Sequence, residues 1–318
     1  MRVAVLDLGS TSFRLAVVDV DRAGRMVHRA KRRESLNLGL VVGRTGYVPE
    51  PKIFAAVSRV RRLRAVAERA GAERVVTVAT SALRDASNRE HLTAALARVS
   101  GRPIRSLSGE EEATLTYLAI RAGLETADRV HGLDLGGGSL ELVVGSGERP
   151  GWVGSLPLGA GRMTGSFFRH DPPEPSERVR LERHVREQIA SLVPDVRPGR
   201  WIAAGGTVKT LARILAGGET AVPIHGTAIA RAALVGLADR LVGMKRPERR
   251  RLPGLAHHRV DVIAAGAVVL ATFAEELSPA GLVVSEWGLR EGIVLEAAGL
   301  TQTAILDADE PRAVAASR

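Results

Sequence analysis

Three acidic residues stand where carboxylates could act on an anion. Asp7 lies in L-D-L-G-S-T-S-F-R-L-A-V-V, residues 6–18, and Asp134 in L-D-L-G-G-G-S-L-E-L-V-V-G, residues 133–145. Laid on one another, Asp7 falls on Asp134, Gly9 on Gly136, Ser12 on Ser139, Leu15 on Leu142 and Val17 on Val144. Each copy reads as an apolar strand, an Asp, a small-residue turn and a second apolar strand. A glycine turn offers backbone N–H groups to an anion and lets a phosphate come close. An Asp that ends its strand at such a turn can hold a metal ion or orient a water. A lone D-x-G is more simply a hairpin turn. Its repetition at the head of two halves points to two domains clamping a phosphate chain. The glycines lead into a strand rather than a helix, and no Gly-Lys-Ser/Thr follows, which excludes the dinucleotide and Walker patterns.

The third acid is Glu112, in S-G-E-E-E-A-T-L, residues 108–115. Ser108 and Glu111 have capping-box spacing, so a helix begins here. Glu110 and Glu111 are explained by the cap and by the helix dipole. Glu112 shares a face with Leu115 and Ala119, and that face is apolar. Its carboxylate either snorkels at an edge or is held at a cleft, where desolvation would raise its pKa toward that of a general base. A third glycine turn, Gly205, Gly206 and Thr207, follows a short strand and opens a helix. It is an anion site of the helix N-terminal kind or a plain strand-to-helix connection.

Two sets of elements must position these groups. Residues 2–8, 13–20 and about 26–36 read as strands, and residues 34–47 as an irregular Gly-rich segment. Pro49 and Pro51 open a helix to about Ala70, with Phe54, Val57, Val60 and Leu63 near helical spacing and Gly71 as its stop. A strand at 75–79 runs into T-S-A-L-R-D-A, a helix follows to about Val99, and a strand covers 104–107. From about Val130 the second half reads as the Asp134 hairpin, a strand near 152–156, a Pro-rich loop at 171–176 and a helix at 179–192. Then come the strand 201–204, a loop at 217–225, helices at 228–242 and 260–277, a strand at 282–285 and a helix opened by W-G-L-R-E-G. His257 and His258 read as surface residues at a helix entry, with no ligand partner at i+4. The tail from Thr301 is polar, without periodicity, and reads as disordered.

At 318 residues the length favours two domains, and 45% hydrophobic residues suffice for real cores. The absence of cysteine excludes a disulfide framework, a thiolate metal site and a cysteine nucleophile. No signal peptide or membrane-length apolar run is seen, so a cytoplasmic, soluble protein with no membrane partner is expected. The net charge of +10 (45 basic against 35 acidic) suits polyanions, unless it reflects arginines spread over solvated faces. Aromatics make up only 3%, which argues against a specific nucleic-acid partner. Lys245 to Arg251 carries five basic residues in seven, a solvated face or a polyanion path.

Six stretches in order resemble the exopolyphosphatase and guanosine pentaphosphate phosphohydrolase (Ppx/GppA) family. They are D-L-G-S-T-S-F-R at Asp7, A-T-S-A-L-R-D-A at Ala79, S-G-E-E-E-A at Ser108, D-L-G-G-G-S-L-E at Asp134, A-G-G-T at Ala204 and W-G-L-R-E-G at Trp287. The resemblance reaches about residue 297 and implies the short form without a helical C-terminal extension. It implies an α/β fold of two ribonuclease H-like domains of the actin, hexokinase and Hsp70 superfamily, residues 1–125 and 126–300, with a cleft between them and a tail at 301–318. It implies that Glu112 activates the attacking water and that Asp134 and Glu141 bind Mg²⁺ or Mn²⁺. The phosphate-binding set it implies is Asp7, Gly9, Ser10, Thr11, Arg84, Gly136, Gly137, Gly138, Ser139, Gly205, Gly206 and Thr207. Thr11 departs from the family's frequent Asn and lacks the amide donor. The implied activity is release of terminal phosphate from inorganic polyphosphate. The alternatives are 5′-phosphate hydrolysis of guanosine pentaphosphate, a stringent-response nucleotide, and a weakly active sensor of polyphosphate or the guanosine alarmones pppGpp and ppGpp. The resemblance also implies a homodimer.

Overall fold

A computed structural model describes residues 1–124, 129–146, 149–192, 201–278 and 280–300; the tail from Thr301 lies outside the described residues. The first half runs β1 (Arg2–Leu8), β2 (Ser12–Val20), β3 (Met26–Ser35), α1 (Leu38–Thr45), α2 (Glu50–Arg69), β4 (Arg74–Ala79), α3 (Ser81–Asp85), α4 (Arg89–Ser100), β5 (Arg105–Ser106) and α5 (Gly109–Leu124). The second runs β6 (Val130–Leu135), β7 (Leu140–Gly145), β8 (Trp152–Leu156), α6 (Ala160–Phe167), α7 (Pro175–Leu192), β9 (Trp201–Ala204), α8 (Gly205–Leu215), β10 (Ala228–Ile229), α9 (Arg231–Gly243) and α10 (Arg246–Arg250). A short 3₁₀ turn at His257–Arg259 leads to α11 (Ile263–Leu277), β11 (Leu282–Val284) and α12 (Leu289–Ala297).

The two sheets repeat one topology. The first has the order β3-β2-β1-β4-β5, and the second β8-β7-β6-β9-β11 with β10 added at the edge. In each, an antiparallel hairpin is followed by parallel strands. The register makes the internal repeat explicit: Asp7 pairs with Arg14 across the first hairpin, and Asp134 with Glu141 across the second. Both hairpins are buried on their two faces, which is why they read as continuous apolar runs rather than alternating ones.

The strands divide between the halves but two helices are exchanged. Ala113, Tyr117 and Ile120 of α5 pack with Val130, Val143 and Ala204 of the second sheet. Ile293, Val294 and Ala297 of α12 pack with Val3, Val5, Ala16 and Val18 of the first. Burying Ile293 and Val294 contributes about 3–6 kcal/mol to that first-half core. The two helices cross closely, for a Cβ on Gly292 would run into the backbone of Leu115.

The segment expected to be irregular, residues 34–47, contains α1. Its glycines are there for approach, not for flexibility. A Cβ on Gly39 would come 2.7 Å from Gly137 O, and one on Gly43 2.7 Å from Arg162 O. Gly161 and Gly165 of α6 answer them against Leu40 and Arg44. The α1–α6 pair thus joins the halves backbone to backbone. On α2 the core side is Ile53, Ala56, Val60, Leu63 and Ala67, while Phe54 is 71% exposed. Residues 228–230 form a strand and its exit rather than a helix start, because Ala228 and Ile229 pair with Val283 and Leu282. The helix expected from Val179 begins at Pro175, a residue preset for a first turn. The long apolar helix begins at Ile263 rather than Val260, after the 3₁₀ turn.

Candidate active site

Two glycine turns meet between the sheets. Gly9 to Thr11 joins β1 to β2, and Gly136 to Ser139 joins β6 to β7. A Cβ on Gly138 would lie 2.6 Å from Ser10 Oγ, and one on Gly137 would run into Thr11 Oγ1. The loops therefore touch, and only glycine permits it. Ser10 Oγ accepts the Ala82 N–H at 3.0 Å, which ties the first loop to the start of α3. Arg162 of α6 spans the junction: its Nε donates to Gly138 O at 2.9 Å, and its Nη2 to Ser81 Oγ and to Asp85 of α3.

Asp7, Ser10, Thr11, Glu112, Asp134, Gly136 to Ser139, Glu141, Gly205 and Gly206 line one cleft of about 730 Å³, part of it open to solvent. Of the residues expected at the site, Thr207 and Arg84 are not in its wall. Thr207 is fully buried and accepts from Arg259 Nη1 at 3.4 Å. Arg84 stands behind Glu112 and donates to its Oε1 at 2.7 Å.

The acids share an electrostatic problem. The capping box, Ser108 N–H to Glu111 Oε2 at 2.7 Å and Glu111 N–H to Ser108 Oγ at 3.1 Å, fixes the phase of α5. That phase puts Glu112, 4% exposed, into the cleft. Burial, then the nearby Glu141 carboxylate, pushes the Glu112 pKa well up, against the pull of Arg84. Burial also raises Glu141 to about 8, opposed by hydrogen bonds from Ser139 and Ser155 and reinforced by Asp134. Asp7 and Asp134 are raised by burial too, with Arg14 and Lys209 respectively opposing most. Asp134 is hemmed by backbone, since a Cβ on Gly205 would strike Oδ1 and one on Gly288 would lie 3.0 Å from Oδ2. Gly205 has φ +95°, which a side chain would strain.

Among the described residues no three His, Asp or Glu side chains form a ready-made metal cage. Asp134 and Glu141 nevertheless face each other in register beside two phosphate-type loops. One or two carboxylates, with water and phosphate oxygens completing the shell, is the donor set Mg²⁺ takes at phosphoryl sites. Burial raises both pKa values, and a bound divalent cation would favour the charged carboxylates against it. These residues fit a divalent cation.

Sequence reasoning missed the cations. Arg14, Lys209, Arg259 and Arg290 also line the cleft. Arg14 was readable from the repeat, since it occupies the place of Glu141 in the first hairpin. Burial and crowding by like charges hold its guanidinium well below the ordinary range, and bring Arg259 to about 9 and Lys209 to about 8. Thr116, one turn past Glu112, is buried in the cleft wall with its hydroxyl unpartnered among the described residues. The basic run 245–251 is not all solvated face: Arg249 is buried, donating to Asp171 Oδ1 at 2.5 Å and to Val260 O.

Two glycine loops, buried carboxylates and a group of cations within one cleft suit the chemistry of phosphoryl groups. The profile of the Ppx/GppA phosphatase family matches residues 16–300. Exopolyphosphatase 1 of Mycobacterium tuberculosis is 32% identical over 304 residues, covering 93% of this chain and 88% of the relative. Exopolyphosphatase 2 of the same organism is 35% identical over 323 residues, covering 94% and 99%. The crystal structure of the Aquifex aeolicus Ppx/GppA family member is 29% identical, covers 95% of this chain and 99% of its own, and superposes with a TM-score of 0.77. This chain belongs to the Ppx/GppA phosphatase family and is a phosphoanhydride hydrolase of the two-domain, actin-like fold.

Proposed function

We propose that the protein is an exopolyphosphatase, releasing the terminal phosphate of inorganic polyphosphate by metal-dependent hydrolysis. The observation that carries this reading is the polarity of the cleft. Glu112 and Glu141 act on one another and on Arg84, while Arg14, Lys209, Arg259 and Arg290 act on one another and on Asp7, Asp134 and Glu291, and the two glycine loops line the same cleft. A terminal phosphoryl group fits between the loops, whose N–H groups and Ser10, Thr11 and Ser139 hydroxyls bind its oxygens. The following phosphates lie toward Arg14, Lys209 and Arg259. A divalent cation held by Asp134 and Glu141 would supply charge neutralisation on the phosphoryl oxygens.

Glu112 accepts the proton of a water in line with the scissile anhydride. Burial and Glu141 raise its pKa and so strengthen it as a base, while the Arg84 hydrogen bond opposes the rise and favours the carboxylate. Thr116 offers a free hydroxyl to orient that water. Because phosphoryl transition states are loose, positioning outweighs base strength. Among the described residues the cleft wall holds no aromatic side chain and one large apolar one, Leu289, so a nucleobase finds no aromatic ring to stack on there. That favours a bare phosphate chain over guanosine pentaphosphate.

The test is phosphate release with Mg²⁺ from long polyphosphate, tripolyphosphate and guanosine pentaphosphate at matched terminal concentration. Glu112→Gln should lower the rate by about 10²- to 10⁴-fold while retaining substrate binding. Release from the nucleotide alone would transfer the activity to the alarmone, and binding of all three without turnover would make the protein a sensor. A Gln variant with near-full activity would remove Glu112 from its role.

A further inference from the structure

Five cations, Arg14, Arg33, Lys209, Arg259 and Arg290, are gathered at one end of the cleft and its mouth. Their grouping shows in what each group feels. Glu112 is influenced by Glu141, Arg84 and Asp7, whereas Asp134 is influenced by Lys209, Arg14, Asp7 and Arg290, so that the cations act on Asp134 and Asp7 lies between the two. Arg14 in turn is depressed by Arg290, Arg259 and Arg33. Their hydrogen bonds go to neutral atoms: Arg14 Nε to Ser12 Oγ, Lys209 Nζ to Glu286 O, and Arg259 Nη1 to Thr207 Oγ1. Among the described residues none of the five makes a salt bridge within 4.0 Å. Elsewhere the protein pairs its arginines freely, as in Arg2–Asp19, Arg62–Glu34 and Arg249–Asp171. Arg259 is buried, Arg14, Lys209 and Arg290 are half-buried and Arg33 is exposed. The carboxylates of Asp7, Asp134 and Glu291 act on this group only from beyond 4.0 Å, which leaves the cations open to direct contact with an anionic ligand.

The row does not stop in the cleft. Asp7 pairs with Arg14 and Arg14 with Arg33, so one line of side chains crosses β1, β2 and β3 to the sheet edge. In the next row Ala16 pairs with Lys31, and in the next Val18 pairs with His28. A bulge between Val17 and Val18 makes this possible. It turns Arg29 to the opposite face, where it pairs with Asp19 at 2.6 Å. Lys31 and His28 stay on the face of Arg33, beside Arg290. Adjacent strands lie about 4.8 Å apart and same-face residues about 6.6 Å apart along a strand. Arg33 and Lys31 thus prolong the cleft by roughly 10 Å.

His258 touches this line at Arg33. Its Nε2 lies 3.0 Å from Arg33 Nη1. Burial and the charges of Arg33, Arg259 and Arg14 bring its pKa down to about 3, so the ring is neutral and accepts from the guanidinium. The second half thereby holds Arg33, a first-half residue, over the cleft mouth.

We propose that Arg33 and Lys31 form a surface track on the edge strand β3 that binds the distal phosphates of a linear inorganic polyphosphate, continuous through Arg14 with the cleft. The proposal rests on the polyphosphate reading above and names the path the chain takes. It assigns the track to β3, not to the basic run at 245–251, whose Arg249 is buried against Asp171. Only chains longer than the cleft reach the track, so affinity must rise with chain length.

The experiment is calorimetric binding in EDTA of long-chain sodium polyphosphate and of sodium tripolyphosphate, to the wild-type protein and to the Lys31→Glu/Arg33→Glu double variant. Wild type should bind the long chain more tightly per molecule. The double variant should cut the long-to-short affinity ratio by about 5- to 20-fold, two modest charge contacts' worth. Its affinity for long chains should also fall less steeply with salt. A ratio that survives the substitutions, or a wild type without length preference, overturns the track. Phosphate release measured in parallel separates the two readings. Length-dependent binding that is lost in the variant, from a protein that releases nothing, would retain the track and reject the hydrolase mechanism.

Discussion

Replacing Glu141 with Gln should stabilise the metal-free protein while removing its activity. Glu141 is 4% exposed, accepts from Ser155 Oγ at 3.1 Å and faces Asp134 across the hairpin. Its pKa rises from 4.5 to about 8, chiefly through burial. In this range the folded protein keeps a proton that the unfolded chain has released, so stability falls as pH rises from the unfolded value to the folded one. Over the interval from about pH 5 to about pH 8, such a shift removes about 3 kcal/mol. Glu112 is raised in the same direction and shares part of this effect. Gln keeps the shape and the Ser155 partner without the proton to lose. At about 2 °C per kcal/mol, wild type in EDTA should lose about 6 °C of melting temperature between those limits, and Glu141→Gln distinctly less. Adding Mg²⁺ should restore the wild type at the alkaline end and leave the variant unmoved. Thermal melts across pH in EDTA decide the matter. Parallel pH curves for the two proteins, or a wild type that gains stability with rising pH, would refute the argument from uncompensated buried charge.

Further outcomes follow from the junction between the halves and from an open position on α9. Gly43→Val places a Cβ 2.7 Å from Arg162 O and should cost about 1–3 kcal/mol in thermal or urea unfolding. Gly236→Ala in α9, where nothing lies within 4 Å of the new atom, should gain a few tenths to about 1 kcal/mol. Arg162→Ala cuts the link from Gly138 to Ser81 and Asp85, and should lower kcat/KM by about tenfold or more through misplaced loops. Asp85→Asn should act in the same direction, and a double variant that loses no more than the single ones would show one shared interaction.

The site was legible where its signal is local. The two hairpins announce themselves because Asp, Gly and the following apolar residues lie within a dozen positions of one another. Glu112 could be found because a capping box fixes the helix phase and leaves one carboxylate on the apolar face. The cations were not legible, because Lys209, Arg259 and Arg290 come from three separate elements and meet only when the two halves come together. Arg84 shows the complementary limit. Its motif was plain, but that it would pair with Glu112 rather than line the cleft depends on a contact 28 residues away in sequence. The α1 helix was hidden by its own glycines, whose purpose is an approach to α6 over 120 residues away. Phe54 has the right spacing for the core and lies one position beside the true stripe.

The exchange of α5 and α12 decides which groups would travel together if the cleft opened. Glu112 belongs to the first half by sequence, yet its helix is seated on the second sheet with Asp134 and Glu141. A rotation that parted the sheets would therefore keep Glu112, Asp134 and Glu141 in one rigid body. It would carry away Asp7, Ser10 and the β3 edge, and would sever Arg84 from Glu112 and Asp85 from Arg162. The chemical apparatus would stay assembled during such a movement, and what came and went would be the grip on the phosphate chain.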